Sequence, residues 1–189
     1  MGGHAAGDYA SRFTVEKLVE LIGKSGEKEP VAIMKSAVSM TNSLLLTEAQ
    51  ADPAKNGMGT TIVAATVIGN TLYAANVGDS RLYLIGRDIR QITRDHSLVE
   101  DMVRMGVLER EEARTHYKKN VITKAIGVAD DKTSTPDIFE IEVENGDKLL
   151  LCSDGLTNMV EDYDIKKIVK DNDSIEDAVR ELIKQANEN

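Results

Sequence analysis

Residues 60–93 read TTIVAATVIGNTLYAANVGDSRLYLIGRDIRQIT, and this stretch decides the fold. Four apolar, β-branched runs are separated by the turn pair Gly69-Asn70, by Gly78-Asp79-Ser80 and by Gly86-Arg87-Asp88. The pattern predicts four antiparallel strands, which cover 60–68, 71–77, 81–85 and 89–93. Because the strands are largely apolar, we expect both faces of each sheet to be covered.

Amphipathic segments flank this meander along the chain. A helix predicted over 12–22 would place Val15, Leu18, Val19 and Ile22 on one face, and a second helix over 31–49 follows Pro30. After the meander, we predict strands near 121–125, 138–143 and 148–152 and helices over 164–170 and 174–187. This order predicts an α+β fold of one domain over residues 1–189, an antiparallel β-sandwich with helices on its outer faces.

The composition is that of a globular chain. It has 189 residues, of which 41% are hydrophobic and 29% are charged. The net charge of −9 argues against nucleic acid or an anionic membrane as a partner. No run of about 18 apolar residues is present to span a bilayer. The single cysteine excludes an internal disulfide and favours a cytoplasmic location.

Two aspartates follow predicted strands. Asp79 comes two residues after Val77, and Asp154 comes two residues after Cys152. Carboxylates at strand ends are held rigidly, and their oxygens are the ligands that Mg²⁺ and Mn²⁺ prefer. An aspartate in a turn also commonly hydrogen-bonds its own backbone. The residues by themselves therefore leave both a metal site and a structural turn open.

Several longer motifs resemble those of bacterial metal-dependent serine/threonine protein phosphatases of the 2C type. The segment Ala75-Asn76-Val77-Gly78-Asp79-Ser80-Arg81 is similar to the family's Asn-Val-Gly-Asp-Ser-Arg motif almost letter for letter. Met1-Gly2-Gly3-His4-Ala5-Ala6-Gly7 resembles the end of its Asp-Gly-Met-Gly-Gly-His-x-x-Gly motif. Further matches occur at 57–61, 92–97, 120–127 and 146–156. The resemblance thus extends along the whole chain.

The resemblance implies hydrolysis of phosphoserine and phosphothreonine in proteins by a water that two Mn²⁺ or Mg²⁺ ions activate. It assigns Asp154 as a metal ligand and Asp79 as a ligand of the third ion of bacterial members. It places a flap-like insertion over residues 96–120, where His96 is expected at a solvated surface. The family's general-acid histidine position is held by Met1, so His4 is left as the candidate acid.

Other residues are given structural roles. We expect Arg81 to be an ion-pair partner rather than a phosphate clamp, and Cys152 to be a buried strand residue rather than a nucleophile. The family pattern has one metal-binding aspartate before Met1 and another after Asn189. We therefore expect a sandwich incomplete at both termini, low activity for these 189 residues, and strand edges that favour an edge-to-edge or swapped dimer.

The implied partners are phosphorylated proteins, including a cognate serine/threonine kinase. Two alternatives stay open from the sequence. One is a catalytically inactive interaction module with the same fold, and the other is a metal-dependent phosphohydrolase of small molecules.

Overall fold

Two antiparallel sheets form the centre of the molecule in the computed structural model, which describes residues 6–128 and 134–189. The first sheet has the order β1-β2-β5 and comprises β1 (Ile62–Ile68), β2 (Thr71–Val77) and β5 (Asp137–Glu142). The second has the order β4-β3-β6 and comprises β3 (Arg81–Ile85), β4 (Ile89–Gln91) and β6 (Lys148–Cys152). The chain crosses from the first sheet to the second through residues 78–80.

Helices precede, interrupt and follow these strands. In chain order they are α1 (Gly7–Gly23), α2 (Pro30–Ala51), α3 (Leu98–Arg104), α4 (Arg110–Thr115), α5 (Asp154–Thr157), α6 (Asp162–Asp171) and α7 (Ile175–Glu188). A short 3₁₀ turn at Pro53–Lys55 follows α2. Within the described residues, none of these helices combines the length and apolar character needed to cross a bilayer.

Alternate strand residues build the layers, because successive side chains of a strand point to opposite faces. On β2, Leu72 and Ala74 face the second sheet, while Ala75 and Val77 pack against α1 and α2. The strand β3 divides likewise: one set of its side chains meets the first sheet, and Tyr83 packs against α6 and α7. The four layers, helix, sheet, sheet and helix, confirm the predicted α+β sandwich.

The predicted strand at 121–125 is wrong. This part of the chain makes two isolated bridges instead, one from Ile122 to Ser97 and one from Ile126 to Thr60. Because the two bridges go to different segments, no continuous ladder forms here. The strands predicted over 71–77, 81–85 and 148–152 have the observed bounds.

The predicted apolar face of α1 is right for Leu18 and wrong for its two valines. Val15 and Val19 are 59% and 65% exposed, whereas Ala10, Thr14 and Leu18 are buried. These three residues recur every fourth position and so share one helix face. Ala10 and Leu18 pack in one core cluster with residues of α2, so this face of the helix is covered and the valine face is not.

Candidate functional site

The pairing of β3 with β6 brings the two predicted metal ligands together. Arg81 at the start of β3 lies opposite Cys152 at the end of β6. Asp79 precedes Arg81 by one intervening residue, and Asp154 follows Cys152 by one intervening residue. The two aspartates therefore emerge at the same end of this strand pair, and both line one cleft.

Asp79 lies in a tight turn between the two sheets. Gly78 has a φ of 114°, a backbone conformation that favours glycine. A Cβ atom on Gly78 would lie 2.3 Å from Cγ2 of Thr61, so the turn packs directly on the residue before β1. The hydroxyl groups of Thr61 and Ser80 are 2.9 Å apart and hydrogen-bonded. Close packing on both sides of Asp79 thus fixes the backbone that carries its carboxylate.

Asp154 lies at the start of α5, directly after β6. The amide of Asn158, one helical turn later, lies 3.5 Å from Asp154 Oδ2, at the long limit of a hydrogen bond. The same amide is 3.4 Å from Oδ1 of Asn120. Asn158 therefore lies between the carboxylate of Asp154 and the end of the 96–120 segment.

The segment predicted as a flap supplies one wall of the cleft. Its basic side chains at this wall are Arg110 and Arg114 of α4 together with Lys119. Arg110 forms an ion pair with Glu100, and Arg114 lies 2.9 Å from Glu161. The carboxylate partners offset much of the positive charge of the two arginines at this rim. Whether the segment moves as a flap stays a prediction.

The electrostatics of the site suit a divalent cation. Burial, with the negative charge of Asp154 as the next cause, raises the pKa of Asp79 to about 6. The two carboxylates therefore repel each other across this partly buried cleft, and a bound cation would offset that repulsion. Within the described part of the chain, the pair is not joined by a third His, Cys, Asp or Glu. Mg²⁺ is commonly held by one or two carboxylates and keeps several waters, so the pair fits such an ion.

Arg81 lines the same cleft but is held by Asp95. Its guanidinium lies 2.7 Å from Asp95 Oδ2 and donates a hydrogen bond of 2.9 Å to the hydroxyl of Tyr83. Tyr83 in turn donates to Asp162 of α6 over 2.9 Å. These contacts confirm the predicted role of Arg81 as an ion-pair partner.

The expectation for His96 is wrong, since its side chain is only 4% exposed. It is buried because the chain at 96 turns back against Gly78, whose amide donates to Nδ1 over 3.0 Å. Nε2 lies 3.1 Å from Asp137 Oδ2, which places the ring between two elements.

His4 and Cys152 are the remaining residues that the sequence singled out. His4 lies outside the described residues, so its role as an acid stays a prediction. Burial raises the pKa of the Cys152 thiol to about 11, which keeps it protonated and agrees with a structural role.

The sequence analysis did not identify Asp137, whose carboxylate contacts several basic side chains near the site. Its carboxylate lies 2.8 Å from Lys124, 3.0 Å from Arg94 and 3.1 Å from His96. It occupies the first position of β5, where the sequence Pro136-Asp137 resembles an ordinary strand start. The signal in the sequence was the pair of basic residues Arg94 and His96, whose partner cannot be read from spacing.

Comparisons with known proteins agree with this geometry. The family model described as Protein phosphatase 2C matches residues 1–189. A Listeria innocua protein named serine/threonine phosphatase stp is 38% identical over 99% of this chain and 75% of its own length.

Two solved structures extend the similarity to the fold. Serine/threonine phosphatase Stp1 from Staphylococcus aureus has a TM-score of 0.92 and 39% identity, and the match covers 100% of this chain and 75% of that one. The catalytic domain of the serine threonine protein phosphatase PstP, in complex with two manganese ions, has a TM-score of 0.85 and 33% identity. That match covers 98% of this chain and 77% of that one.

Proposed function

Because this chain belongs to the protein phosphatase 2C family, we propose that the cleft containing Asp79 and Asp154 is its active site. The protein is a metal-dependent hydrolase of phosphoserine and phosphothreonine in proteins, and its cofactor is Mn²⁺ or Mg²⁺. Its relatives are named as serine/threonine phosphatases, which favours this activity over an inactive interaction module or a small-molecule phosphohydrolase. Beyond this activity, we propose that Asp79 and Asp154 are residues that bind the metal.

One observation carries the assignment of these residues. The β3–β6 register, in which Arg81 pairs with Cys152, puts both aspartates at one end of the second sheet. Each carboxylate is attached to a strand end, so its position does not depend on a long loop. Two oxygen ligands from rigid elements at a common rim support a shared cation site.

Each residue then has a definite part in the chemistry. When bound, divalent cations would polarise an attacking water and offset negative charge on the phosphate. Asp79 and Asp154 bind the cation, and Asn158 restrains the carboxylate of Asp154. Arg110 and Arg114 would contact the phosphorylated substrate at the rim by exchanging their carboxylate partners, Glu100 and Glu161, for the phosphate. Arg81 stays with Asp95 and keeps the start of β3 in place.

Metal binding tests the assignment directly. We expect Asp79→Asn and Asp154→Asn each to weaken Mn²⁺ binding by at least about tenfold, because each removes an anionic ligand. Mn²⁺ titrations followed by calorimetry and by paramagnetic broadening of backbone amide signals measure this without turnover. Hydrolysis of a phosphothreonine peptide should fall in parallel.

The matched control is Asp173→Asn, at an exposed position before α7. It makes the same change of charge and chemistry away from the cleft, so Mn²⁺ binding should match that of the unchanged protein. Equal Mn²⁺ affinity for Asp79→Asn, Asp154→Asn and this control would refute the site.

We also propose a serine/threonine kinase as a phosphorylated substrate and a cytoplasmic location. A phosphorylated kinase offers the phosphothreonine that this activity removes, and the single cysteine favours a reducing compartment. Phosphoproteomic comparison of cells with and without the gene tests the first point, and cell fractionation tests the second. An unchanged phosphorylation state of every kinase would contradict the substrate proposal.

The proposed edge-to-edge dimer is supported by the outer strand of the first sheet. On β1, Val67 and Ile68 are 47% and 54% exposed, and such an edge can pair with another strand. Light scattering over a range of protein concentrations tests this. A mass of 20.7 kDa at every concentration would exclude the dimer.

A further inference from the structure

We propose that His96 is a positioning residue for the metal site, acting through Gly78 to hold Asp79 in place. The inference rests on the proposed metal-binding role of Asp79. His96 is not one of the two proposed metal ligands, and its hydrogen bond with Gly78 cannot be read from a sequence motif.

The main-chain amide of Gly78 depends on His96 for its hydrogen bond. Val77 is the last β2 residue paired with β1, so Gly78 lies just beyond the ladder. Gly78 is buried, and a buried N–H group without a partner is costly. His96 Nδ1 accepts this hydrogen bond at 3.0 Å. The ring therefore satisfies the amide next to Asp79.

The contact between His96 and Gly78 is reciprocal. The main-chain amide of His96 donates to the carbonyl oxygen of Gly78 over 2.9 Å. Asn76 adds a second donor to that carbonyl, from its side-chain amide at 3.2 Å. With Thr61 packed on the Cα of Gly78, the peptide units on either side of Gly78 are held. The direction in which Asp79 leaves the turn then follows from these contacts.

Both nitrogens of the His96 ring face a neighbouring residue. Because Nδ1 accepts a hydrogen bond, the neutral ring carries its proton on Nε2. Nε2 lies 3.1 Å from Asp137 Oδ2, outside regular hydrogen-bond geometry but close enough for attraction. Asp137 is itself held by Lys124 and Arg94. This arrangement orients the ring so that Nδ1 points at Gly78.

His96 also stands at the base of the 96–120 segment. Its carbonyl oxygen accepts a hydrogen bond from the amide of Thr123 over 2.8 Å. The next residue, Ser97, forms the bridge to Ile122. His96 thus connects the turn of Asp79 to the base of the segment that supplies one wall of the cleft.

Two amide substitutions separate positioning from general stability. In His96→Asn, the short side chain can place an oxygen near the position of Nδ1 and keep the acceptor for Gly78. In His96→Gln, the longer side chain reaches the position of Nε2 and leaves the amide of Gly78 without its acceptor. Both remove the ring, so both should lower the melting temperature.

Mn²⁺ binding and exchange of the Gly78 amide should distinguish the two variants. We expect His96→Gln to weaken Mn²⁺ binding by about tenfold, as loss of an outer partner typically does, and to speed exchange of the Gly78 amide. We expect His96→Asn to stay close to the unchanged protein in both. Equal Mn²⁺ affinity for His96→Gln and the unchanged protein, or equal losses in both variants, would overturn the proposal.

Two further measurements complete the test. If Asp79→Asn binds Mn²⁺ normally, the proposed metal site fails, and this inference fails with it. If Asp79→Asn binds weakly while His96→Gln binds normally, only the positioning role of His96 is refuted. On the unchanged protein, nitrogen NMR should show Nδ1 of His96 as the unprotonated ring nitrogen. A proton on Nδ1 would refute the hydrogen bond without any variant.

Discussion

Gly78 packs so closely on Thr61 that a Cβ atom at Gly78 would lie 2.3 Å from Thr61 Cγ2. The contact also puts Cβ of Thr61 at 2.5 Å, so the clash involves atoms near the main chain. This relationship explains why the chain can cross between sheets in three residues, 78–80, and still hold Asp79 at the rim of the cleft.

Gly78→Ala should be strongly destabilising. The new methyl group meets Thr61, and the φ of 114° is unfavourable for alanine. Steric overlap and backbone strain each cost about 1–3 kcal/mol, so we expect the free energy of unfolding to fall by about 2 kcal/mol or more. Urea denaturation measures this change.

Gly146→Ala is the control for the Gly78 prediction. Gly146 also has a positive φ, 96°, but among the described residues no atom beyond its own chain neighbours lies within 4 Å of its added Cβ. It should therefore show the strain without the overlap and lose less stability. Equal losses at the two glycines would mean that the contact with Thr61 has little energetic weight.

Removing Asp95 should cost more than removing an exposed acid. The side chains of Arg81 and Asp95 are 21% and 12% exposed, so Asp95→Ala leaves a largely buried guanidinium without its carboxylate. Breaking a buried pair in this way costs about 3–5 kcal/mol. Chemical denaturation should show a loss toward that range.

The comparison for Asp95 is Asp88→Ala. Asp88 pairs with Lys166 but is 81% exposed, and such surface pairs contribute less than about 1 kcal/mol. Similar losses for the two variants would contradict a special role for the Arg81–Asp95 pair.

Local patterns were enough to predict the strands of the meander. The boundaries of β2 and β3 follow from Gly69-Asn70 and Gly78-Asp79-Ser80, because turn chemistry is local. The presence of Asp79 and Asp154 at strand ends was visible for the same reason. Their convergence depends in addition on the pairing of Arg81 with Cys152, which joins two strands that lie far apart in the chain.

Tertiary contacts explain the expectations that failed. His96 stands in a polar stretch, and its burial depends on Gly78 and Asp137, both distant in sequence. On α1, hydropathy selects the valines, whereas helix packing selects the face with Ala10. Spacing alone reports which residues share a face, and the partner decides which face is covered.

The packing of α1 predicts tolerance at Val19 and sensitivity at Leu18. Val19 is 65% exposed and Leu18 is 6% exposed. Val19→Lys should change the free energy of unfolding by less than about 0.5 kcal/mol, because lysine favours helices and stays in solvent. Leu18→Ala should cost about 2–3 kcal/mol through lost burial and a residual cavity. Thermal and urea unfolding measure both changes. A larger loss of unfolding free energy for Val19→Lys than for Leu18→Ala would mean that the face with the valines is the buried one.

The stability of the protein should depend on pH through His96. Burial lowers the pKa of His96 below the ordinary 6.5, aided by Lys124 and Arg94 and opposed by Asp137. In the unfolded chain the ring takes up a proton below about pH 6.5, while in the folded protein it stays neutral to lower pH. The stability contributed by the neutral ring is therefore present above pH 6.5 and is lost as the pH falls through the folded pKa, with a slope of at most about 1.4 kcal/mol per pH unit.

His96→Asn isolates this contribution, because asparagine does not titrate. The difference in unfolding free energy between the unchanged protein and the variant should be largest near about pH 7.5 and should shrink toward about pH 5. Carboxylates away from His96 titrate in both proteins and cancel in the difference, whereas Asp137, whose pKa His96 helps to lower, adds to it. Parallel curves over this range, obtained from urea denaturation at each pH, would mean that the folded protein binds the proton at His96 as readily as the unfolded chain does.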